Sequence, residues 1–406
     1  MKNYEAIRTI CEENSRRSST VIDEFLIYYA ASRNNLEPKM NQRFAAYSHV
    51  TRKLKKEWVN MLKSQYIAHK IFRKDGLIEK YLNHAALQRF SREEMSFLKK
   101  QTIQPWRFSF SVITNEPADD FFIMEDVYSG EQYTLFSPGI TKLVKEQSAV
   151  LWFNLIGYNG ACWQSFGPIG AYTSFEPDDI FFFATELRPE IEDEAGIQED
   201  VENNPVPYMM LLSGANYPVT FHKNDQFVQV MSEYDLDAIN TRDLRKSFKT
   251  EYNDGIYRFT LKGWGDHPHF ANAYFDERKR AIVLTAMTDR GFCALVAGLN
   301  EYGNDFSDDP FIRVNPSMLL TAQDILKKKI TLNEYDELFK QEPSVQVQGE
   351  LDKLNAFMAM VLPDINAGRE PDIETIAKKA GVDVEMAHEL VQSLINRLDN
   401  PGKEID

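Results

Sequence analysis

Cysteine is scarce in this sequence of 406 residues, which contains only Cys11, Cys162 and Cys293, far apart along the chain. Such a set excludes a disulfide framework and contains no Cys-x-x-Cys metal knuckle, as is typical of a protein in a reducing compartment. The N-terminal residues also lack the apolar segment of a signal peptide. We therefore expect a cytoplasmic protein.

Long hydrophobic runs are missing as well. The most apolar stretch, AVLWFNLIGY at 149–158, is about half as long as a membrane-spanning helix. The sequence thus predicts a protein that does not associate with a membrane.

Basic residues are fewer than acidic ones: the sequence has 46 Lys and Arg residues and 61 Asp and Glu residues, for a formal net charge of −15. An acidic surface repels phosphate backbones and anionic membranes, so nucleic acid is not the expected partner. Hydrophobic residues make up 43% of the chain, which is enough for packed cores in two or three domains.

The common catalytic motifs are absent from the sequence. It contains no Walker A motif, no Gly-x-Gly-x-x-Gly after a strand and no Gly-x-Ser-x-Gly elbow, since WQSFG at 163–167 lacks the first glycine. The acidic loops EPDDI and DFSDDP do not have EF-hand spacing. We expect no cofactor.

The patterns that are present predict an α+β, multidomain protein. Residues 1–102 are predicted to form a helical domain, because apolar residues recur at helical spacing and Ser91-x-x-Glu94 has the form of a capping box. Residues 103–187 contain short aromatic runs separated by turns, including a hairpin turn at Asn159-Gly160, and predict a small antiparallel β-barrel or sandwich.

The second half of the chain is predicted as three further segments. The acidic stretch 188–207, which ends in prolines, has the composition of a linker. Residues 208–312 predict an α+β domain with a β-hairpin across the charged turn 277–280, and 313–406 a helical region. Within that region 372–398 resembles a helix-turn-helix, but its second helix begins with acidic residues, which favours packing over DNA binding.

The middle of the chain contains MEDVYSGEQYTLFSPG at 124–139 and ACWQSFGPI at 161–169. The Asp126-x-x-Ser-Gly-Glu turn and the later Trp163 before Gly167 resemble the small β-barrel of uncharacterised bacterial proteins that often carry a C-terminal, zinc-binding SEC-C motif. The resemblance covers roughly 105–300. The zinc motif itself is absent because no cysteine follows Cys293, and the group has no established activity to carry over.

GWGDHPHFANAYFD at 263–276 is the strongest catalytic candidate in the sequence. On an extended strand His267 and His269 share one face, so that they can bind one metal together, with Asp266 as a neighbouring acid–base group. His222 and Asp266 are the only third ligands that the sequence offers. In the alternative interpretation, the glycines, the aspartate and the proline form a turn before the strand FANAYFD.

A basic segment at 39–80 holds eleven Lys and Arg residues against three acids. Aromatic residues lie among them, as in a nucleic-acid platform, but Tyr47, Trp58 and Phe72 follow the apolar stripe and are expected to face the core. The acidic run 176–202 has eleven acids and one arginine, so pairing of the two runs explains both without a phosphate. The candidate nucleic-acid-binding residues are Arg52, Lys53, Lys55, Lys56 and Lys63.

Three hypotheses about function follow. The leading one is a non-catalytic cytoplasmic protein that regulates or binds a protein partner. The alternatives are a metal-dependent or acid–base enzyme centred on His267 and His269, and a nucleic-acid-associated protein that uses the basic helices of 39–80.

Overall fold

The computed structural model describes residues 3–146, 148–217, 219–339, 345–366 and 371–399. The chain forms two compact units: the first comprises Met1–Thr250 and Phe259–Leu332, and the second Glu251–Arg258 and Asn333–Asp406. Helical regions near both ends and a closed β-barrel confirm the predicted α+β, multidomain class.

The N-terminal region is helical, as predicted. Ser91 and Glu94 exchange side-chain and backbone hydrogen bonds, so the capping box expected from the sequence begins the last of these helices. The elements are α1 (Tyr4–Ser18), a π-helix (Ser19–Leu26), α2 (Ile27–Arg33), α3 (Leu36–Ala45), α4 (Ser48–Thr51), α5 (Lys56–Phe72), α6 (Ile78–Leu82), a 3-10 helix (Ala85–Arg89) and α7 (Arg92–Lys100).

Five strands then form a closed barrel in the order β1-β2-β3-β5-β4. The pairs are antiparallel except β3 with β5, which are parallel. The elements are β1 (Arg107–Ala118), β2 (Phe121–Asp126), β3 (Gln132–Phe136), α8 (Pro138–Glu146), β4 (Leu151–Tyr158) and β5 (Trp163–Tyr172).

The turn between β4 and β5 is longer than the two-residue turn that Asn159-Gly160 predicts. Tyr158 pairs with Trp163, so four residues connect the strands. The side-chain oxygen of Asn159 accepts the backbone N–H groups of Ala161 and Cys162, and Gly160 takes a φ of +97° that a side chain disfavours.

Strand β4 divides its side chains between two cores. Trp152 and Ile156 pack inside the barrel, whereas Phe153 and Leu155 pack in a core that also contains buried residues of the N-terminal helices, among them Phe72. The alternation follows from the two-residue period of a strand. The prediction of a separate helical domain at 1–102 is therefore wrong, because those helices bury their apolar face against the barrel.

The acidic segment 188–207 is not a linker. It follows α9 (Pro177–Leu187) and contains α10 (Glu194–Asn203) and the first residues of α11 (Pro205–Met210), and Ile197, Val201 and Val206 are buried in the core shared by helices and barrel. The sequence pattern did not predict these helices because acidic residues dominate the composition of the segment. Most of their carboxylates lie at exposed or half-buried positions between the apolar residues.

The chain after α11 contains a six-stranded sheet in the order β13-β8-β12-β11-β10-β9 and a two-stranded one of β6 and β7. The predicted hairpin across 277–280 is confirmed by the pairing of β11 with β12. The elements are a 3-10 helix (Leu211–Gly214), β6 (Phe221–His222), β7 (Asp225–Gln226), β8 (Gln229–Asp235), α12 (Thr241–Leu244), β9 (Phe248–Asn253), β10 (Ile256–Leu261), β11 (Asn272–Asp276), β12 (Ala281–Ala286), α13 (Asp289–Asn300), β13 (Ile312–Val314) and α14 (Pro316–Leu326).

The helical C-terminal region begins later than the predicted boundary at 313, because β13 and α14 belong to the first unit. The second unit contains a 3-10 helix (Tyr335–Phe339), α15 (Val345–Asn366), α16 (Ile373–Ala380) and α17 (Val384–Asp399). Phe357, Ala377 and Val391, one from each α-helix, are buried together. Positions 340–344, 367–370 and 400–406 of the predicted region lie outside the described residues.

Candidate functional site

A cleft of about 500 Å³ opens between the N-terminal helices and the β4–β5 side of the barrel. This volume lies within the range of small-molecule sites in proteins. Amide and hydroxyl side chains and aromatic rings predominate in its lining, which comprises Asn14, Ser15, Ser18, Asp23, Ile27, Tyr28, Asn60, Met61, Ser64, Phe97, Gln101, Trp106, Gly157, Gln164, Ser165, Phe166 and Gly167.

One wall of the cleft is formed by α1 and the π-helix that continues it. The amide of Ile27 donates to the carbonyl of Ile22, five residues earlier, which is the π-helical pattern. Val21, Ile22 and Leu26 are buried in the core, and Asp23 points toward the cleft. Short π-helical segments occur frequently at functional sites.

The floor of the cleft is Trp106 packed over Gly157. A Cβ atom at position 157 would overlap the indole ring, so only glycine fits there. The indole stacks on Phe72 with ring centroids 4.3 Å apart, and its Nε1 donates to Oε1 of Gln101 over 3.3 Å. These contacts fix the ring in one orientation.

A chain of amide groups connects this floor to α1 and β5. Nε2 of Gln101 donates to Oδ1 of Asn14 over 3.0 Å, and Nδ2 of Asn14 donates to Oε1 of Gln164 over 2.7 Å. Nε2 of Gln164 in turn donates to the backbone carbonyl of Cys11 over 3.0 Å. Because each amide is hydrogen-bonded to the next, the polar wall of the cleft is already ordered before a ligand binds.

Asp23 is the one charged side chain among the residues that the structure places around the cleft. Its carboxylate makes no hydrogen bond or ion pair with any other residue in the described ranges. Desolvation in the concave surface, assisted by the negative charge of Glu24, raises the pKa of Asp23 to about 6. A carboxylate without a partner, in a cleft and with a raised pKa, is a candidate ligand-binding group.

The barrel has the strand order of the OB-fold, with a helix between β3 and β4. Ligands of OB-folds bind over strands β2 and β3 and the β1–β2 and β4–β5 loops. In this chain α1 covers both loops: the Arg8 guanidinium pairs with Asp120 in the first, and Cys11 contacts Cys162 in the second. The two loops of this barrel are therefore in contact with the chain's own helix.

The structure places the predicted histidine site in a loop that packs against aromatic rings. His267 lies next to His222, with ring centroids 4.6 Å apart and the rings perpendicular. His269 points elsewhere, since its Nδ1 lies 2.7 Å from Oγ1 of Thr288 and its ring packs on Trp264. The predicted third residue, His222, is thus close to one histidine of the pair.

Asp266 contributes to this loop through its backbone, because its carbonyl accepts the N–H groups of His269 and Phe270. Desolvation lowers the pKa of His269; the carboxylate of Asp225 opposes this effect, and Arg290 and the neighbouring histidines add to it. Within the described ranges, no group of three His, Cys, Asp or Glu side chains has the geometry to hold a metal ion.

Of the predicted nucleic-acid residues, Arg52, Lys53, Lys55 and Lys56 are exposed and Lys63 is half-buried. The Nζ of Lys53 lies 2.8 Å from the carboxylate of Asp324, and Lys63 donates to Asn41. Of the interleaved aromatic residues, Phe72 is buried as expected. Trp58 is 39% exposed, against the prediction, because the buried face of α5 runs through residues 62, 65, 66 and 69 instead.

The basic and acidic runs meet at Glu202, through a histidine and a backbone carbonyl. One of its carboxylate oxygens lies 2.7 Å from Nε2 of His69, and its backbone carbonyl accepts Arg73. Burial lowers the pKa of His69, and the hydrogen bond to Glu202 opposes that effect. Other carboxylates of the acidic run pair with cations outside 39–80, for example Glu176 with Arg313.

Asp23 and Gln164 were not among the residues that the sequence singled out. A single aspartate in a helical stretch carries no motif, and the amides of Asn14 and Gln164 are 150 positions apart. The two acidic residues Asp23 and Glu24 in the apolar run VIDEFLIYY at 21–29 were the only local signal.

Comparisons with known proteins find no relatives of this chain. No protein-family model matches it, and neither a curated protein nor a solved structure does. The resemblance to SEC-C-containing bacterial proteins therefore stays a prediction. Within the described residues, no helix has both the length and the apolar character needed to cross a membrane.

Proposed function

We propose that this chain is a non-catalytic, regulatory binding protein whose cleft takes a small organic cation with several hydrogen-bonding groups. The observation that carries the proposal is the charge of the lining: a single carboxylate, Asp23, surrounded by amides, hydroxyls and aromatic rings. Such a set complements an ammonium group, with the amides orienting the polar atoms of the ligand.

An anionic ligand fits this lining poorly. Among the residues placed around the cleft there is no lysine or arginine to neutralise a phosphate or carboxylate, and Asp23 would repel it. The net charge of −15 adds a long-range attraction for cations. Tyr28, which is 70% exposed at the rim, offers a ring face to the same charge.

Binding is favoured over catalysis because acid–base chemistry needs a second group. Paired carboxylates, or a nucleophile with its base, have no second member among the residues lining the cleft. The histidines at 267 and 269 are directed to different partners, which weakens the alternative of a metal-dependent enzyme at that place.

The test is calorimetric titration of the full chain at pH 7.5 and physiological ionic strength with three probes of different charge. Spermidine serves as the cation, glucose as the neutral polyol and adenosine monophosphate as the anion. We expect saturable binding of spermidine alone, and its loss in Asp23→Asn, because that variant removes the charge and retains the shape.

Glu24→Gln is the matched control, since Glu24 neighbours Asp23 in sequence and does not line the cleft. Equal weakening of spermidine binding by Glu24→Gln and Asp23→Asn would mean attraction to the acidic surface in general, and would overturn the proposal. The proposal would also be overturned if adenosine monophosphate bound to the wild-type chain and still bound to Asp23→Asn.

A further inference from the structure

Two of the three cysteines meet in the fold although 151 positions separate them. Sγ of Cys11, in the middle of α1, lies 3.3 Å from Sγ of Cys162, in the turn before β5. Both side chains are buried, with exposed fractions of 0% and 3%. Cys293 on α13 is exposed and stands apart from this pair.

The two thiols have different surroundings, which shift their pKa values in opposite directions. The hydrogen bond from Cys162 lowers the pKa of Cys11 despite burial, and Nδ2 of Asn159, 3.2 Å away, lowers it further. The pKa of Cys162 is strongly raised, because it keeps its proton in that hydrogen bond and because it is buried. Cys11 is accordingly the thiol of the pair that ionises more readily, and the thiolate is the reactive form.

We propose that Cys11 and Cys162 form a dithiol site that reacts with hydrogen peroxide and closes to a disulfide. Closure requires the sulfur atoms to approach from 3.3 Å to about 2.05 Å, which side-chain rotation supplies. Burial of both sulfurs selects a small oxidant and discriminates against a bulky disulfide such as oxidised glutathione. The inference does not depend on the identity of the cleft ligand.

The reaction proceeds in two balanced steps. The Cys11 thiolate attacks one peroxide oxygen, so that an S–O bond forms, the O–O bond breaks and hydroxide leaves, taking a proton to become water. Cys162 then loses its proton and attacks Sγ of the Cys11 sulfenic acid, so that the S–S bond forms and the second oxygen leaves as water. Two thiols are oxidised by two electrons, and one peroxide is reduced to two waters.

The bond would fasten α1 to the β4–β5 turn. Asn14 and Ser15, which line the cleft, lie one helical turn after Cys11, and Gln164 follows Cys162 by two residues. Oxidation thus holds together the two walls that the amide chain otherwise joins by hydrogen bonds alone.

The experiment uses the full chain with Cys293→Ser, reduced and then freed of reductant. Samples treated with hydrogen peroxide are quenched in acid, unfolded, alkylated and weighed by mass spectrometry. We expect Cys11 and Cys162 to disappear together, with a mass loss of two hydrogen atoms. Oxidised glutathione at the same concentration is expected to act at least about tenfold more slowly, because both sulfurs are buried.

Two variants assign the roles of the sulfurs. In Cys162→Ser, Cys11 should stop at a sulfenic acid that dimedone traps, whereas in Cys11→Ser the Cys162 thiol should survive at least about tenfold longer, since burial still disfavours its thiolate. Survival of both thiols in the folded protein, equal rates with the two oxidants, or independent oxidation of the two cysteines would each overturn the proposal.

Discussion

Nδ2 of Asn14 lies 2.7 Å from Oε1 of Gln164, and this hydrogen bond joins the first helix of the chain to the last strand of the barrel. The same oxygen accepts Nδ2 of Asn159 over 2.7 Å, while Nε2 of Gln164 donates to the carbonyl of Cys11. One buried amide therefore connects the cleft to the cysteine pair.

The first prediction concerns that amide. Gln164→Leu keeps the size of the side chain and leaves the donors of Asn14 and Asn159 without this acceptor, which costs about 1–3 kcal/mol for each buried group. We expect a lower urea midpoint, followed by tryptophan fluorescence. Gln132→Leu on the exposed barrel surface is the control, and equal midpoints for the two variants would contradict the role of Gln164.

The second prediction concerns the floor of the cleft. Gly157→Ala places a methyl group inside the Trp106 ring, so the indole must move and the core around Phe72 must repack. We expect a loss of stability of about 1–3 kcal/mol and a changed fluorescence maximum. Gly196→Ala on α10, where the added methyl makes ordinary contacts, should change neither, and a tolerated Gly157→Ala would refute the packing described.

The third prediction concerns pH. The pKa of Asp23 is about 6 in the folded chain, above the ordinary value of 3.8, so the folded state binds a proton more tightly than the unfolded state. The stabilising contribution of this group is fully present below pH 4 and is lost as the pH rises through 6.

Asp23→Asn should accordingly make the thermal midpoint less dependent on pH between 4 and 7 and raise it at pH 7. Glu24→Gln should shift the midpoint of that dependence slightly downward in pH, because Glu24 contributes to the raised pKa. Thermal unfolding across this range is the measurement. If the thermal midpoint depended equally on pH in wild type and in Asp23→Asn, Asp23 would not be the cause of that dependence.

The fourth prediction concerns the reactivity of Cys11. Asn159→Asp keeps the side-chain oxygen that accepts Ala161 and Cys162, and replaces the donor to Cys11 with a negative charge. We expect peroxide to oxidise this variant about tenfold more slowly at pH 7, corresponding to a thiol pKa about one unit higher. The pH profile of the rate should shift upward in parallel, and an unchanged profile would contradict the role of Asn159.

The fifth prediction concerns the histidine loop. Equimolar zinc should shift the thermal midpoint of wild type and of His267→Ala equally, because Nδ1 of His269 is engaged by Thr288 and the His267 ring packs edge-on against His222. A rise of several degrees in wild type that is lost in His267→Ala would restore the metal hypothesis.

The helices and strands followed from periodicity and turn chemistry, as the Ser91 capping box and the hairpin across 277–280 show. The acidic helices near Ile197 were missed because charge composition outweighed a short apolar repeat. The sharing of one core by the N-terminal helices and the barrel was also missed, because local patterns do not say which apolar faces meet.

The cleft itself was beyond prediction from the sequence. Its polar wall depends on contacts between residues about 150 positions apart, such as Asn14 with Gln164, and neither residue belongs to a short motif. The histidines at 267 and 269 were prominent because histidine is rare in this sequence and these two are separated by one residue. Their side-chain directions, which decide whether they cooperate, are a property of the loop and not of the spacing.

The position of α1 over the β4–β5 turn has a consequence for synthesis of the chain. The helix leaves the ribosome before its partners at 159–164, which are made about 150 residues later. At ordinary rates of translation that interval is roughly ten to thirty seconds. During that interval α1 has no barrel to pack against and Cys11 is exposed to solvent. The nascent chain is therefore more easily oxidised at Cys11 than the folded protein.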